Sequence, residues 1–322
     1  MGETCAQQGE ALSALLADLR AEAYGFTPVT PLTHQQVLSN RGKTATASLR
    51  DIFGWSLPFA AQQLPGDLLQ LLQLLQAGAV VGHAPGDHAG LLLSHVRVAS
   101  LDADLFVHSA FPTQAREAVF FGPDTVRFFK LIRDHLPARQ AKEPLRIADI
   151  GCGSGAGGIM AARLRRGSQV TLTDVNPLAL RYARVNAAAA GIQVSLALGD
   201  ALAATTGDFD LIVSNPPYLV DDAARAYRDG GGDLGRALSV KIASQALQRL
   251  SPGGRLILYT GVAMVHGVDH FIRDMAPFLG AAGCVYTYEE IDPDVFGEEL
   301  ARPVYQGPDR IAAVGLVAVK AG

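Results

Sequence analysis

The stretch Ile147-Ala-Asp-Ile-Gly-Cys-Gly-Ser-Gly155 decides the fold. An apolar run ends in an acid and enters a turn in which every second residue is glycine. The helical spacing of 157–166 follows directly. This is the grammar of a strand handing over to a helix through a turn that a ligand can approach closely. Outward from it, 169–172 reads as a second strand and 178–190 as an alanine-rich helix. Residues 194–198, 211–214, 255–260 and 311–319 supply further strands, and 240–250 has helical spacing. Short strands separated by helices predict an α/β fold built on a doubly wound, mostly parallel sheet of seven strands. The run 284–290 leads to 311–319 without a good helix between them, which predicts a C-terminal antiparallel hairpin at one sheet edge.

The chain has 322 residues, enough for two domains, with 49% hydrophobic and 18% charged residues, enough to bury a full core. Its net charge of −4 argues against a strongly basic nucleic-acid binder. Three separated cysteines, Cys5, Cys152 and Cys284, suit a reducing cytoplasm and neither a disulfide scaffold nor a zinc site. The eight histidines show no metal-ligand spacing, and no metal is expected. No signal peptide and no bilayer-length apolar run is read, so a cytoplasmic protein without membrane contact is expected. Residues 1–115 have a different grammar from 116–322. Helical spacing at 11–23 and 64–76, then strand-like 91–98 and 104–108, outlines a helical, winged-helix-like module. Residues 1–110 hold five Lys/Arg (Arg20, Arg41, Lys43, Arg50, Arg97) against nine Asp/Glu, which favours substrate recognition or a structural role over DNA binding.

Three acids stand at successive strand ends: Asp149 before the glycine turn, Asp174 with Val175 after it, and Asp200 with Ala201. Open α/β sheets bind ligands at those ends. The run from Gly153 to Gly158 also fits a dinucleotide fingerprint, but Asp149 would repel a pyrophosphate and suits an ammonium group. S-adenosyl-L-methionine satisfies the whole set: its amino-acid end at Asp149, Gly151, Cys152, Gly153 and Gly155, its ribose at Asp174, its adenine at Asp200. Cys152 itself is read as a space-filling residue.

The fourth strand runs into Asn215-Pro216-Pro217-Tyr218, the most specific signal in the chain. Two prolines fix the backbone and leave carbonyls without competing N–H donors. The Asn215 side-chain oxygen and the Pro216 carbonyl then both accept from one planar NH₂ group, and Tyr218 offers a ring face for it to stack on.

These pieces resemble class I S-adenosylmethionine-dependent methyltransferases with a Rossmann-like fold, and among them the release-factor glutamine methyltransferase family. The matching segments are 119–125, 147–155, 174–180, Asn186-Ala, and 215–218. The resemblance implies cofactor contacts at Asp149, Gly151, Gly153, Asp174, Asp200 and Asn215, with Asn215 and Tyr218 holding the target nitrogen. It also implies a protein partner presenting a glutamine. Asp124 stands where that family more usually has glutamate, and the stretch after Tyr218 is shorter. From the residues alone, adenine in RNA or DNA, a small amine, and a non-catalytic scaffold remain as alternatives.

Overall fold

The computed structural model describes residues 2–41, 48–136 and 144–322; Lys43 and the side chain of Cys5 lie outside the described residues. Helix α1 (Gly2–Ala21) carries Ala11, Leu12, Leu15, Leu16 and Leu19 on one buried stripe at helical spacing. Then come α2 (Pro31–Arg41) and α3 (Leu49–Phe53), the latter opened by a Ser48/Asp51 capping box. The helix expected at 64–76 is divided at Leu71 into α4 (Gly66–Gln70) and α5 (Leu72–Ala77). The strand expected at 91–98 is likewise two. Strand β1 (Val81–His83) pairs with β2 (Leu92–Ser94), while β3 (Val96–Leu101) pairs with β4 (Asp104–Ser109), setting Arg97 opposite His108.

Helix α6 (Pro123–His135) starts with proline at its first turn, where no N–H is needed. The sheet follows: β5 (Arg146–Ile150), α7 (Ala156–Leu164), β6 (Gln169–Asp174), α8 (Pro177–Ala189), β7 (Val194–Leu198), β8 (Phe209–Ser214), α9 (Ala237–Gln248), β9 (Leu250–Met264), α10 (His270–Ala281), β10 (Cys284–Asp292) and β11 (Arg310–Lys320). The seven strands lie in the order β10-β11-β9-β8-β5-β6-β7. Pairings from β9 through β7 are parallel, and β11 and β10 join antiparallel, as the C-terminal hairpin reading expected. Alternation assigns the two faces: Leu211 and Val213 pack beneath α6, α7 and α8, and Ile212 packs with α9 and α10. Helix α10, absent from the sequence reading, is capped by the Asp269 side chain accepting from Ile272 N–H.

After β5 the chain winds outward through β6 and β7, then returns to lay β8 on the other side of β5. That reversal opens a crevice above the carboxyl ends of β5 and β8, where such sheets bind ligands. Ser214 Oγ donates to the Ile150 carbonyl at 2.8 Å and pins the two ends together. The N-terminal half closes one side of the crevice by packing on α8. Ala179, Tyr182 and Val185 of α8 belong to the same core as α1 and the small strands. Asn186, fully buried, accepts from Val107 N–H (2.8 Å) and donates to the carbonyls of Val107 (3.1 Å) and Ser154 (2.9 Å).

Candidate active site

At the end of β5, Gly151 and Gly153 turn with φ of +64° and +53°, and a Cβ built on either meets nothing within 4 Å. The turn therefore shows bare backbone to open space. Asp149 is 2% exposed, and its Oδ2 accepts from Gly158 N–H at 2.8 Å. Burial pushes this carboxyl up to about 7, the Gly158 N–H opposes the shift, and neighbouring Asp174 adds to it. Its Oδ1 takes no hydrogen bond from the described residues. Cys152 is buried with its thiol pushed well above its usual value by burial, in keeping with a filler. Gly155 departs from expectation: it does not line the cavity. A Cβ there would lie 3.0 Å from Ala183 Cβ of α8 and 3.2 Å from Leu172 Cδ1 of β6, so its glycine serves the close seating of the start of α7 against both.

At the end of β6, Asp174 accepts from Gly153 N–H (2.9 Å) and Asn176 N–H (2.8 Å), so one carboxylate ties the second strand end to the glycine turn. Burial raises its pKa and these backbone donors oppose the rise. Val175 beside it is exposed to the cavity. Past β7, Asp200 pairs with Lys241 of α9 at 2.5 Å; this lysine partner was not read from the sequence. Ala201 is buried next to it on the cavity wall.

At the end of β8, the Asn215 side chain makes no hydrogen bond to any described residue, and no described group donates to the Pro216 carbonyl; both residues line the cavity. Tyr218 is more deeply held than the sequence suggested. Its hydroxyl donates to Asp124 Oδ2 (2.5 Å), while Tyr259 donates to Asp124 Oδ1 (2.7 Å) and Arg127 contacts the same oxygen (3.2 Å). Burial raises the Asp124 pKa, and the three donors hold it down. Phe296 meets the Tyr218 ring edge-on at 5.9 Å. After Tyr218 the glycine-containing loop folds back, Gly230 N–H donating to the Leu219 carbonyl at 2.7 Å.

All of these strand ends open into one cavity of about 630 Å³, within the usual range for small-ligand sites. It gathers Asp149, Gly151, Cys152, Gly153, Asp174, Val175, Asp200, Ala201, Asn215, Pro216, Pro217 and Tyr218. The rest of its wall includes Leu32, Gln35, Arg97, Phe111 and Thr113 from the N-terminal half, and Arg225 and Tyr227 from the loop after Tyr218. None of this wall was singled out by sequence, because residues so far apart in the chain show no shared spacing.

Comparison with known proteins points to one family. Residues 129–266 match the Methyltransferase small domain family. The release factor glutamine methyltransferase of Deinococcus radiodurans is 36% identical over 147 residues, 42% of this chain and 51% of that protein. The one from Cereibacter sphaeroides is 34% identical over 207 residues, 57% of this chain and 69% of the relative. The chain belongs to the release factor glutamine methyltransferase family. Its match to several members of that family is partial: it spans 51% of the Deinococcus protein and 59% of those from Koribacter versatilis and Lactococcus lactis. Trm5b from Pyrococcus abyssi shares the fold, with a TM-score of 0.50 at 14% identity over 81% of this chain and 69% of that one. Within the Asn215–Tyr218 segment, the Asn215 amide has no partner among the described residues, while the Tyr218 hydroxyl is tied to Asp124.

Proposed function

We propose that the chain is an S-adenosylmethionine-dependent N-methyltransferase whose acceptor is the side-chain amide of a protein glutamine. The observation that carries this reading is the pairing, in one cavity, of the glycine turn of β5 with an Asn215 amide and a Pro216 carbonyl that have no partner among the described residues. The names of its relatives favour glutamine over other planar nitrogens.

The residues fit the cofactor. Open backbone at Gly151 and Gly153 admits a ligand, the free Asp149 oxygen suits an ammonium, and Asp174 and Asp200 suit ribose hydroxyls and an adenine amine. Bound there with Cys152, Val175 and Ala201 as walls, S-adenosylmethionine supplies a methyl group activated by its sulfonium charge. The chain's own work is orientation. Asn215 Oδ1 and the Pro216 carbonyl accept both hydrogens of one NH₂, which fixes the plane of the amide and turns its nitrogen lone pair toward the donor side. The same two oxygens stabilise positive charge as it develops on nitrogen, and are set before reaction begins. An amide nitrogen needs no base beforehand; its proton leaves once the nitrogen carries the fourth bond. Tyr218, clamped by Asp124, presents its ring to the amide, and Pro217 stiffens the approach.

Incubating the protein with methyl-labelled cofactor and cell extract tests this. Label that protease releases and nuclease leaves in place is expected, with N5-methylglutamine recovered on hydrolysis. Label lost to nuclease moves the acceptor to adenine, label in the low-molecular-weight fraction moves it to a small amine, and no incorporation overturns catalysis.

A further inference from the structure

The β3–β4 hairpin carries a charge that the mechanism above leaves unused. Arg97 is 3% exposed and lines the cavity. Its Nε donates to the Ser109 carbonyl at 3.1 Å. Its two terminal nitrogens meet no acceptor, and no carboxylate forms an ion pair with it, among the described residues. The groups facing it are the phenols of Tyr24 and Tyr227 and the rings of His34 and His108. Both imidazoles are pushed down by burial first and by the Arg97 charge next, so neither balances it. The other cavity arginines are already neutralised: Arg225 grips Asp221, and Arg228 pairs with Glu299 and Asp221.

A buried guanidinium without a counter-charge is costly, and burial lowers its pKa to about 10 while leaving it cationic at neutral pH. A planar fork of N–H donors facing a cavity matches an oxyanion and little else so well. Phe111 and Thr113, just beyond β4, line the same cavity as this fork, and so does the Asn215 cradle.

We propose that Arg97 recognises an oxyanion, a carboxylate or phosphate group, carried by the methyl acceptor close to its reacting nitrogen. This rests on reading the cavity as the acceptor site. It makes Arg97 a specificity residue supplied by the N-terminal half, and it assigns that half a role in choosing substrate. A glutamine in a peptide meets the requirement when a carboxylate neighbours it; an adenine nucleotide meets it through its phosphate.

Calorimetry on the full chain saturated with S-adenosylhomocysteine tests it with two matched probe pairs: N-acetylglutamine against N-acetylglutaminamide, and adenosine 5′-monophosphate against adenosine. The anionic member of one pair should bind on the order of tenfold tighter or more, and Arg97→Gln should erase that gap. A gap in the first pair identifies a carboxylate, and a gap in the second a phosphate. Arg97→Lys, which keeps the charge without the fork, should retain only part of it, and serves if the glutamine variant does not fold. Equal binding within both pairs, a gap that survives Arg97→Gln, or no binding of either anionic probe overturns the proposal. S-adenosylhomocysteine should bind both variants as it binds the parent. If the parent binds none, the methyl-transfer reading fails, and the probe gaps measured without it still decide the role of Arg97.

Discussion

On the proposed reading, Asn215 and Asp149, at neighbouring strand ends, serve turnover and binding respectively, and each makes a separate prediction. Asn215→Ala removes one preorganised acceptor from the cradle and touches none of the hydrogen bonds that hold the fold. Turnover should fall roughly 10²–10³-fold, the usual cost of losing one such contact, while calorimetry shows cofactor affinity little changed. Unaltered methylation kinetics would remove Asn215 from the reaction. Asp149 governs the other end. Burial lifts its carboxyl to about 7, well above its ordinary 3.8, so it is largely protonated at pH 5.5 and largely ionised at about pH 7.5. Only the ionised form attracts an ammonium. S-adenosylmethionine affinity should therefore rise with pH, by on the order of tenfold across that window, and then level off. Asp149→Asn should show a flat profile, and two parallel profiles would dissociate Asp149 from the ammonium. The sign for stability is opposite: a carboxyl whose folded pKa exceeds its unfolded value costs stability increasingly as pH climbs from about 4 through 7.

The elements that carry these residues were readable to different depths. Strands β5 to β8 and β11 announced themselves through short apolar runs, and β5, β6 and β7 also through the acid or glycine that closes each. Helix α10 was missed because its start is marked by a single capping aspartate, Asp269, and a proline, Pro277, sits within it. The state of Tyr218 was not readable either. Its partner Asp124 lies 94 residues away and Tyr259 another 135 from Asp124, so only packing reveals the clamp. The cavity lining that includes Arg97 is likewise assembled from segments far apart in the chain, at 32–35, 97, 111–113 and 225–227. Strand β9 adds one more support: a Cβ on Gly261 would stand 2.1 Å from Tyr218 Cε2 and 2.2 Å from Cδ2. The ring cannot retreat while its hydroxyl is tied to Asp124. Gly261→Ala should cost about 1–3 kcal/mol by overpacking and lower turnover more than cofactor affinity. Wild-type kinetics in a stably folded Gly261→Ala would show that the ring position is immaterial.

At the scale of the molecule, the two compositional halves meet on α8, and the meeting is polar at its centre. Asn186 is fully buried and joins its own α8 to two other elements: β4 through both backbone groups of Val107, and the glycine turn after β5 through Ser154. Around it, Arg163 grips the buried Asp104 with two hydrogen bonds of 2.9 and 2.6 Å, and Arg20 donates to the Ala189 carbonyl at 2.8 Å. An N-terminal half that shares core and hydrogen bonds with α8 should not unfold separately from the sheet. Asn186→Ala leaves one N–H and two carbonyls buried and unpaired, so it should cost about 2–4 kcal/mol. The sequence provides a local reporter, since Trp55 is its one tryptophan and sits against Phe26 and His34 of the N-terminal half. Urea unfolding followed by Trp55 fluorescence and by far-ultraviolet circular dichroism should give coincident transitions, and Asn186→Ala should move both to lower urea together. A fluorescence transition that stays in place while the dichroism shifts would show two independent folding units, and would separate the wall that carries Arg97 from the sheet that carries Asn215.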